Sequence, residues 1–380
     1  MNIKTPYYII YEKELRRNLS LIKEIKDSLD IEIIMAFKAN ALWKTFPIIN
    51  EYISSSTASS INEMRLSLDF LGSDVHSYCP VYTDETFPLF LNGSSHITFN
   101  SLSQFYKYYT LVEEYNDLNR DRKVSCGIRI NPRFSVVETG IYDPSLPGSR
   151  FGVNAENIPD TLPQGIDGFH FHALCESTSH DLEKILDVVE AKFGKWLDSI
   201  KWINMGGGHL MTNKDYDLNH LKILITDFKK RHPNLKIIME PGSAFTWQTG
   251  DLITEVLDVV EDNGITTAII DASFACHMPD CLEMPYKPKI KEALENEDKG
   301  FKYRIGGNTC LSGDFVGDWI FKEKLKPGDR LTFMDMNHYT TVKTNMFNGV
   351  QHPSIWLQPL EGNPILLRQY DYEDYKKRMD

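Results

Sequence analysis

Hydrophobic and polar positions over the first two thirds of the chain follow two alternating rhythms. Short apolar or β-branched runs, each suited to a buried strand, fall at residues 31–37, 74–78, 96–99, 124–130, 168–172, 202–205 and 236–240. Between them, residues 12–27, 61–70, 102–115, 181–197 and 218–231 place apolar side chains at three- and four-residue spacing, which predicts amphipathic helices. Strand then helix, repeated about eight times between residues 8 and 240, predicts an α/β fold, a TIM-like (β/α)8 barrel. Functional side chains of such barrels gather at the C-terminal ends of the strands. Here those ends carry Lys38, Arg129, His172, Gly206 to Gly208 and Glu240.

Beyond about residue 245 the rhythm shifts to short strands and turns, at 267–271, 301–305, 330–334, 339–343 and 364–368, with a turn at Pro327-Gly328-Asp329. The expected organisation is a barrel over residues 5–245 and a C-terminal all-β domain, a sandwich or barrel, over 246–380, with residues 1–4 as candidates to join the second.

Composition narrows the function classes. With 380 residues, 42% hydrophobic and 25% charged, the chain reads as a soluble globular protein. Its 41 Lys and Arg against 53 Asp and Glu leave a net charge of -12, which disfavours nucleic acid or an anionic membrane as partner and suits a cationic ligand. The same acidity also serves plain solubility. Six cysteines, Cys79, Cys126, Cys175, Cys276, Cys281 and Cys310, form no CxxC pair or disulfide framework, as expected of free thiols in a reducing compartment. No leader-like segment or membrane-length apolar run is evident, so a cytoplasmic protein is expected.

Lys38 ends an apolar run in Phe37-Lys38-Ala39-Asn40 and would project its amine into the barrel mouth, although a solvated strand end looks the same. Asn204-Met205-Gly206-Gly207-Gly208 follows another run, where N–H groups without Cβ atoms in the way can cradle a phosphate or simply make a tight turn. No Lys-Ser/Thr follows, which excludes a nucleotide P-loop. Glu240-Pro241-Gly242-Ser243 sets a carboxylate beside that loop, fit to hold a pyridine nitrogen protonated or to serve as a buried ion-pair partner. His170 and His172 share one face of a strand, but with His209 they lack a carboxylate or thiol at metal spacing. No metal is expected, and His172 is assigned to stack on a flat cofactor ring.

Together with Gly306-Gly307-Asn308-Thr309-Cys310-Leu311-Ser312-Gly313-Asp314, these motifs, in this order, resemble the fold-type III pyridoxal-phosphate-dependent decarboxylases of ornithine, arginine and diaminopimelate over nearly the whole chain. The resemblance implies an alanine-racemase-like barrel, pyridoxal 5'-phosphate as cofactor, and a homodimer with shared active sites. It implies that Lys38 carries the cofactor as a Schiff base, that His172 stacks on the ring, and that Glu240 holds the pyridinium. Gly207, Gly208, Gly242, Ser243 and Tyr339 would line the cofactor, chiefly its phosphate. Cys310 of the partner subunit would reprotonate Cα.

Three further segments, His170 to Glu176, Thr57 to Glu63 and Cys276 to Tyr286, narrow the likeness to the branch acting on carboxynorspermidine and carboxyspermidine. Leu311 stands where ornithine and diaminopimelate enzymes usually have an acidic residue, Ser243 replaces an arginine, and Cys175 lies in a phosphate-contacting serine region. These departures disfavour diaminopimelate. A small, cationic polyamine substrate is implied, with Asp271, Asp280, Glu283 and Asp314 as candidate contacts. The competing readings are an ornithine- or diaminopimelate-type decarboxylase, a racemase of related fold, which would carry arginine where Glu240 stands, and a non-catalytic decarboxylase-like binding protein, against which Lys38 and Cys310 argue.

Overall fold

A computed structural model describes residues 3–137, 139–295 and 299–380. The chain forms two compact units, Asn18–Phe245 and, from both ends of the sequence, Met1–Arg17 with Thr246–Asp380. The first strand, β1 (Tyr7–Tyr11), pairs antiparallel with residues 250–253 and parallel with residues 354–358. The expected barrel start at residue 5 is therefore corrected: β1 belongs to the sheet unit. Its run Tyr-Tyr-Ile-Ile-Tyr would suit the interior of either sheet, and only its pairing partners, far away in sequence, decide.

Helix α1 (Glu12–Leu29) leads to β2 (Glu32–Ile33), β3 (Met35–Ala36), β4 (Ser55–Ala58), β5 (Asp74–Tyr78), β6 (His96–Phe99), β7 (Ser125–Arg129), β8 (Ile166–His170), β9 (Trp202–Asn204) and β10 (Lys236–Met239). These pair in parallel in the order β2-β10-β9-β8-β7-β6-β5-β4-β3. Because β2 and β3 are one stretch interrupted at Ile34, whose N–H donates to the Met239 carbonyl at 2.9 Å, the sheet begins and ends on the same segment. The barrel is closed.

Helices α2 (Phe46–Asn50), α3 (Ile61–Phe70), α4 (Phe87–Gly93), α5 (Leu102–Leu118), α6 (Ser179–Leu197), α7 (Leu218–Arg231) and α8 (Ser243–Thr246) follow the strands, except after β7. There the described residues up to 165 form only single 3-10 turns, because prolines at 132, 144, 147, 159 and 163 interrupt any helix. The regular strand–helix alternation expected from the sequence fails at that point. Strand β4, Ser-Ser-Thr-Ala, is fully buried yet too small and polar to stand out as an apolar run.

Capping residues set the helix starts: Ser60 accepts from the Glu63 N–H, Ser101 from the Gln104 N–H, and Thr178 with Asp181 forms a reciprocal capping box. Along α6, Leu182, Ile185, Leu186, Val189 and Phe193 form a buried stripe facing the barrel strands.

The sheet unit continues with β11 (Gly250–Asp262), β12 (Ile265–Ile270), β13 (Phe301–Gly306), β14 (Asp318–Phe321), β15 (Arg330–Phe333), β16 (Ser354–Gln358) and β17 (Ile365–Arg368). Their order is β14-β13-β12-β11-β1-β16-β17, with β15 also pairing β11. The long strand β11 turns into β12 through Asn263-Gly264, both at positive φ (50° and 79°), as the tightest hairpin turns require. Residues 339–343, expected as a strand, are turns instead. Tyr339 lies at φ 50°, and the Lys343 N–H bonds back to the Thr340 carbonyl, so the β-branched pair there never meets a sheet edge. Among the described residues, no helix is long and apolar enough to cross a membrane.

Replacing Leu186 by alanine should cost about 2–5 kcal/mol through the lost contacts and the cavity left behind. A lowered urea midpoint for the Leu186→Ala variant, with the native circular-dichroism spectrum retained before unfolding, is the expected measurement.

Candidate active site

Seven of the expected site residues lie in the barrel unit, just past the C-terminal ends of its strands: Lys38, His172, Gly207, Gly208, Glu240, Gly242 and Ser243. Lys38 stands in the turn after β3 and its Nζ lies 3.3 Å from His172 Nε2. His172 in turn accepts at Nδ1 from the Gly207 N–H at 2.8 Å. A neutral imidazole that accepts at Nδ1 carries its proton on Nε2. That N–H points at Lys38 and is matched by the lone pair of a neutral amine, whereas an ammonium would oppose it.

The electrostatics agree with this protonation. Solvent reaches Lys38 from the mouth, but protein crowds it elsewhere, and this desolvation, followed by the charge of Arg129, lowers its pKa. Desolvation is also the largest cause holding the His172 pKa well down, with Lys38 and Arg129 adding to it.

The glycine run is required by close approach. A Cβ on Gly207 would stand 2.6 Å from the Glu240 carbonyl oxygen, and one on Gly208, at φ 91°, 2.3 Å from the Leu174 backbone. The expectation that Gly207 offers its N–H to a phosphate is corrected, since that N–H is taken by His172. The N–H groups of Gly208 and Gly242 have no acceptor among the described residues. Ser243 is buried and its Oγ donates to Glu176 Oε1 at 3.1 Å.

Glu240, one residue past β10, is buried; Asn204 Nδ2 donates to its Oε1 at 2.7 Å and His170 Nε2 lies 3.6 Å from its Oε2. Burial alone would raise its pKa. His170 and the Asn204 amide together outweigh burial and hold the carboxyl well below the usual carboxylate range. Arg129, the last residue of β7, is buried too, donating to Tyr78 Oη at 2.8 Å and to the His172 carbonyl at 3.2 Å. Its guanidinium sits 4.5 Å from the Phe151 ring centroid. Tyr78 and the amide of Asn204 carry functions that the sequence reading had not given them, and both occupy the ends of barrel strands, the signal that could have found them.

The remaining expected residues belong to the sheet unit. Cys310 is exposed in the loop after β13, with its N–H donating to Asn348 Oδ1 at 2.8 Å. Asp314 anchors that loop. Its buried carboxylate accepts from Ser273 Oγ, the Ala275 N–H and Thr309 Oγ1, at 3.1, 3.0 and 2.6 Å. Gly307 leaves room for it, since a Cβ there would fall 2.2 Å from Asp314 Oδ2. The expected role of Asp314 as a substrate contact is corrected to that of a loop anchor, because its oxygens are already engaged. Asp280 and Glu283 share one cation, Lys343, with Asp280 Oδ1 2.6 Å from Nζ. Tyr339 lies half-buried with Lys343 Nζ 6.0 Å from its ring centroid. Asp271 is half-buried and accepts from the Glu255 N–H at 2.9 Å, and burial is the largest cause raising its pKa.

Pyridoxal phosphate needs an amine, a flat partner for its ring, a carboxylate near the pyridine nitrogen and unobstructed backbone N–H groups for the phosphate, and the mouth holds all four. A closed barrel with these groups at its strand ends defines the class of pyridoxal-phosphate barrel enzymes. The chain belongs to the pyridoxal-dependent decarboxylase family: the family model described as "Pyridoxal-dependent decarboxylase, C-terminal sheet domain" matches residues 79–337.

Among curated relatives, the chain is 43% identical over its full length to the carboxyaminopropylagmatine decarboxylase of Synechocystis sp., covering 96% of that protein. It is 36% identical to the carboxynorspermidine/carboxyspermidine decarboxylase of Campylobacter jejuni, with 99% of this chain and 98% of the relative aligned. The crystal structure of the C. jejuni carboxynorspermidine decarboxylase complexed with norspermidine matches with a TM-score of 0.88 at 35% identity, covering 99% of this chain and all of that one. Helicobacter pylori diaminopimelate decarboxylase shares the fold at a TM-score of 0.80 and 18% identity, covering this whole chain and 97% of that one.

Two outcomes are expected from these contacts. A carboxylate with a depressed native pKa stabilises the fold above its ordinary value of 4.5, and that stabilisation is lost as pH falls toward a native value of about 2. Acid titration between those limits, followed by denaturant melts, should show the wild type losing more stability than Glu240→Gln. In Asp314→Ala the Ser273, Ala275 and Thr309 donors lose their acceptor, so Cys310 should be alkylated several-fold faster by iodoacetamide while the far-ultraviolet spectrum is unchanged.

Proposed function

We propose that the protein decarboxylates a carboxylated polyamine in polyamine biosynthesis, carboxynorspermidine or carboxyspermidine, giving norspermidine or spermidine. The contact between Lys38 Nζ and His172 Nε2, at 3.3 Å in one mouth with the ionised Glu240, carries the reading. Bound pyridoxal phosphate supplies an electron sink for the bond between Cα and the departing carboxylate.

The chain's own groups do the rest. Lys38 would hold the cofactor through Nζ, its neutral amine being the nucleophilic form. His172, held at Nδ1 by Gly207 and at its carbonyl by Arg129, would present a fixed flat face to the cofactor ring. Glu240, with Asn204 holding its carboxylate in place, would keep the pyridine nitrogen protonated. The N–H groups of Gly208 and Gly242, with Ser243, would hold the phosphate, and Tyr339 of the sheet unit is assigned to the same group.

In a homodimer with shared sites, Cys310 of the partner subunit hands a proton to Cα, on a loop fixed by Asp314. Asp271, Asp280 and Glu283 are the acidic groups for the substrate's distal amines. A substrate ammonium would compete with Lys343 for the place between Asp280 and Glu283. The C. jejuni relative, and the norspermidine named in its crystal structure, support this choice of substrate.

A second reading rests on the Synechocystis relative, the more similar of the two in sequence, whose name specifies carboxyaminopropylagmatine. That substrate ends in a guanidinium, which paired carboxylates bind in bidentate fashion. The mouth chemistry is common to both readings, and the difference lies wholly at the distal end.

Purified protein with added pyridoxal phosphate should be yellow, and borohydride should fix the cofactor to Lys38. The Lys38→Ala variant should lose the colour and slow CO2 release by about three orders of magnitude or more, roughly 4 kcal/mol of barrier. Comparing kcat/KM on carboxynorspermidine, carboxyspermidine, carboxyaminopropylagmatine, ornithine and diaminopimelate separates the readings. A preference for carboxyaminopropylagmatine would establish the second, and a preference for ornithine or diaminopimelate would overturn both.

A further inference from the structure

We propose that Asp74, His76 and His96 form a divalent transition-metal site, of the kind that takes Zn²⁺, on the floor of the barrel, at the opposite end of the strands from Lys38. Asp74 and His96 are the first residues of β5 and β6, and His76 follows Asp74 on the same face two residues on. In the parallel pairing of β5 with β6, His76 stands opposite His96. One ligand atom from each of the three lies within 4.8 Å of the others. The cofactor groups lie past the last residues of their strands, so the two sites share no ligand.

The second observation is a buried ring nitrogen that makes no hydrogen bond. His76 is buried, at 4% exposure, and its Nε2 has only a 3.5 Å contact with Asp74 Oδ1. A buried ring nitrogen left in this state costs free energy unless something else meets it. The His76 and His96 rings stack at 3.9 Å between centroids.

The surroundings suit a cation. Ser95 Oγ donates to Asp74 Oδ1 and lies 3.0 Å from His96 Nδ1, so one hydroxyl orients both side chains in the manner of the outer shell of a metal site. The Asp74 side chain is 43% exposed, so an ion can enter from solvent.

Two imidazoles and a carboxylate with one open position match Zn²⁺, whereas Mg²⁺ and Ca²⁺ prefer oxygen ligands throughout. A metal there would tie the neighbouring strands β5 and β6 together.

Isothermal titration of the chelator-treated, cofactor-loaded protein with Zn²⁺ tests the site, alongside Co²⁺ read by its visible absorption. The expected result is one tight site per chain, weakened at least tenfold in His96→Ala and in Asp74→Asn, with the Co²⁺ bands lost in both. The surface trio His180, Glu183 and His220 also brings its ligand atoms within 4.8 Å, so His180→Ala is the control and should keep the tight site. Absence of zinc binding in the wild type, persistence of the tight site in folded Asp74→Asn, or its loss in His180→Ala would each overturn the proposal.

Discussion

The hydrogen bond from the Gly207 N–H to His172 Nδ1 organises the mouth of the barrel. By settling which imidazole nitrogen bears the proton, it decides what the other nitrogen can say to Lys38. It also explains the glycine: the backbone must come so close to the end of β10 that no side chain fits, and that approach brings the N–H within reach of the ring. Arg129 completes the brace by gripping the His172 carbonyl. The imidazole is held at two points, ring and backbone, before any ligand arrives, which is the form preorganisation takes here.

Buried charge is handled differently in the two units. Glu240 is kept ionised by an amide and an imidazole and remains able to act on a ligand. Asp314 is kept in place by a hydroxyl from Ser273, another from Thr309 and the Ala275 N–H, and has nothing left to offer. Chemically identical carboxylates therefore take opposite roles according to how many of their lone pairs the protein itself fills. Asp280 and Glu283 stand between these cases, since a single lysine, Lys343, holds both.

Much of the barrel was legible because its helices are long and regularly periodic: residues 61–70 and 218–231 are helical over the same spans that their spacing predicts. Short strands marked by β-branched and aromatic residues, such as Val75 and Tyr78 in 74–78 and Ile97, Thr98 and Phe99 in 96–99, were equally clear. What escaped was set by partners far away in sequence. β4 is buried by its neighbours although its own residues are small and polar, and β1 takes its place from residues 250–253 and 354–358. Lys38, His172 and Glu240 could be found because strand ends in a barrel are where chemistry collects. The correction at Gly207 could not, because a glycine's spacing says where its N–H is and not what already holds it. Asp314 misled for a related reason: an acidic residue in a Gly-rich loop reads as solvent-facing until its donors are seen.

Strand β1 lies between β11 and β16, so the sheet unit takes its first strand from one end of the chain and its remaining strands from the other. During synthesis the whole of Asn18–Phe245 emerges before either partner of β1 exists. The barrel can complete its own ring in that interval, whereas the sheet must wait for the last hundred residues or so and then close a very long loop. The order of assembly is thereby written into the topology, with the cofactor's side of the enzyme maturing first. A ribosome stalled beyond the barrel would hold a folded (β/α)8 ring trailing an unpaired, strongly apolar strand at its leading end, the kind of exposed edge that chaperones recognise.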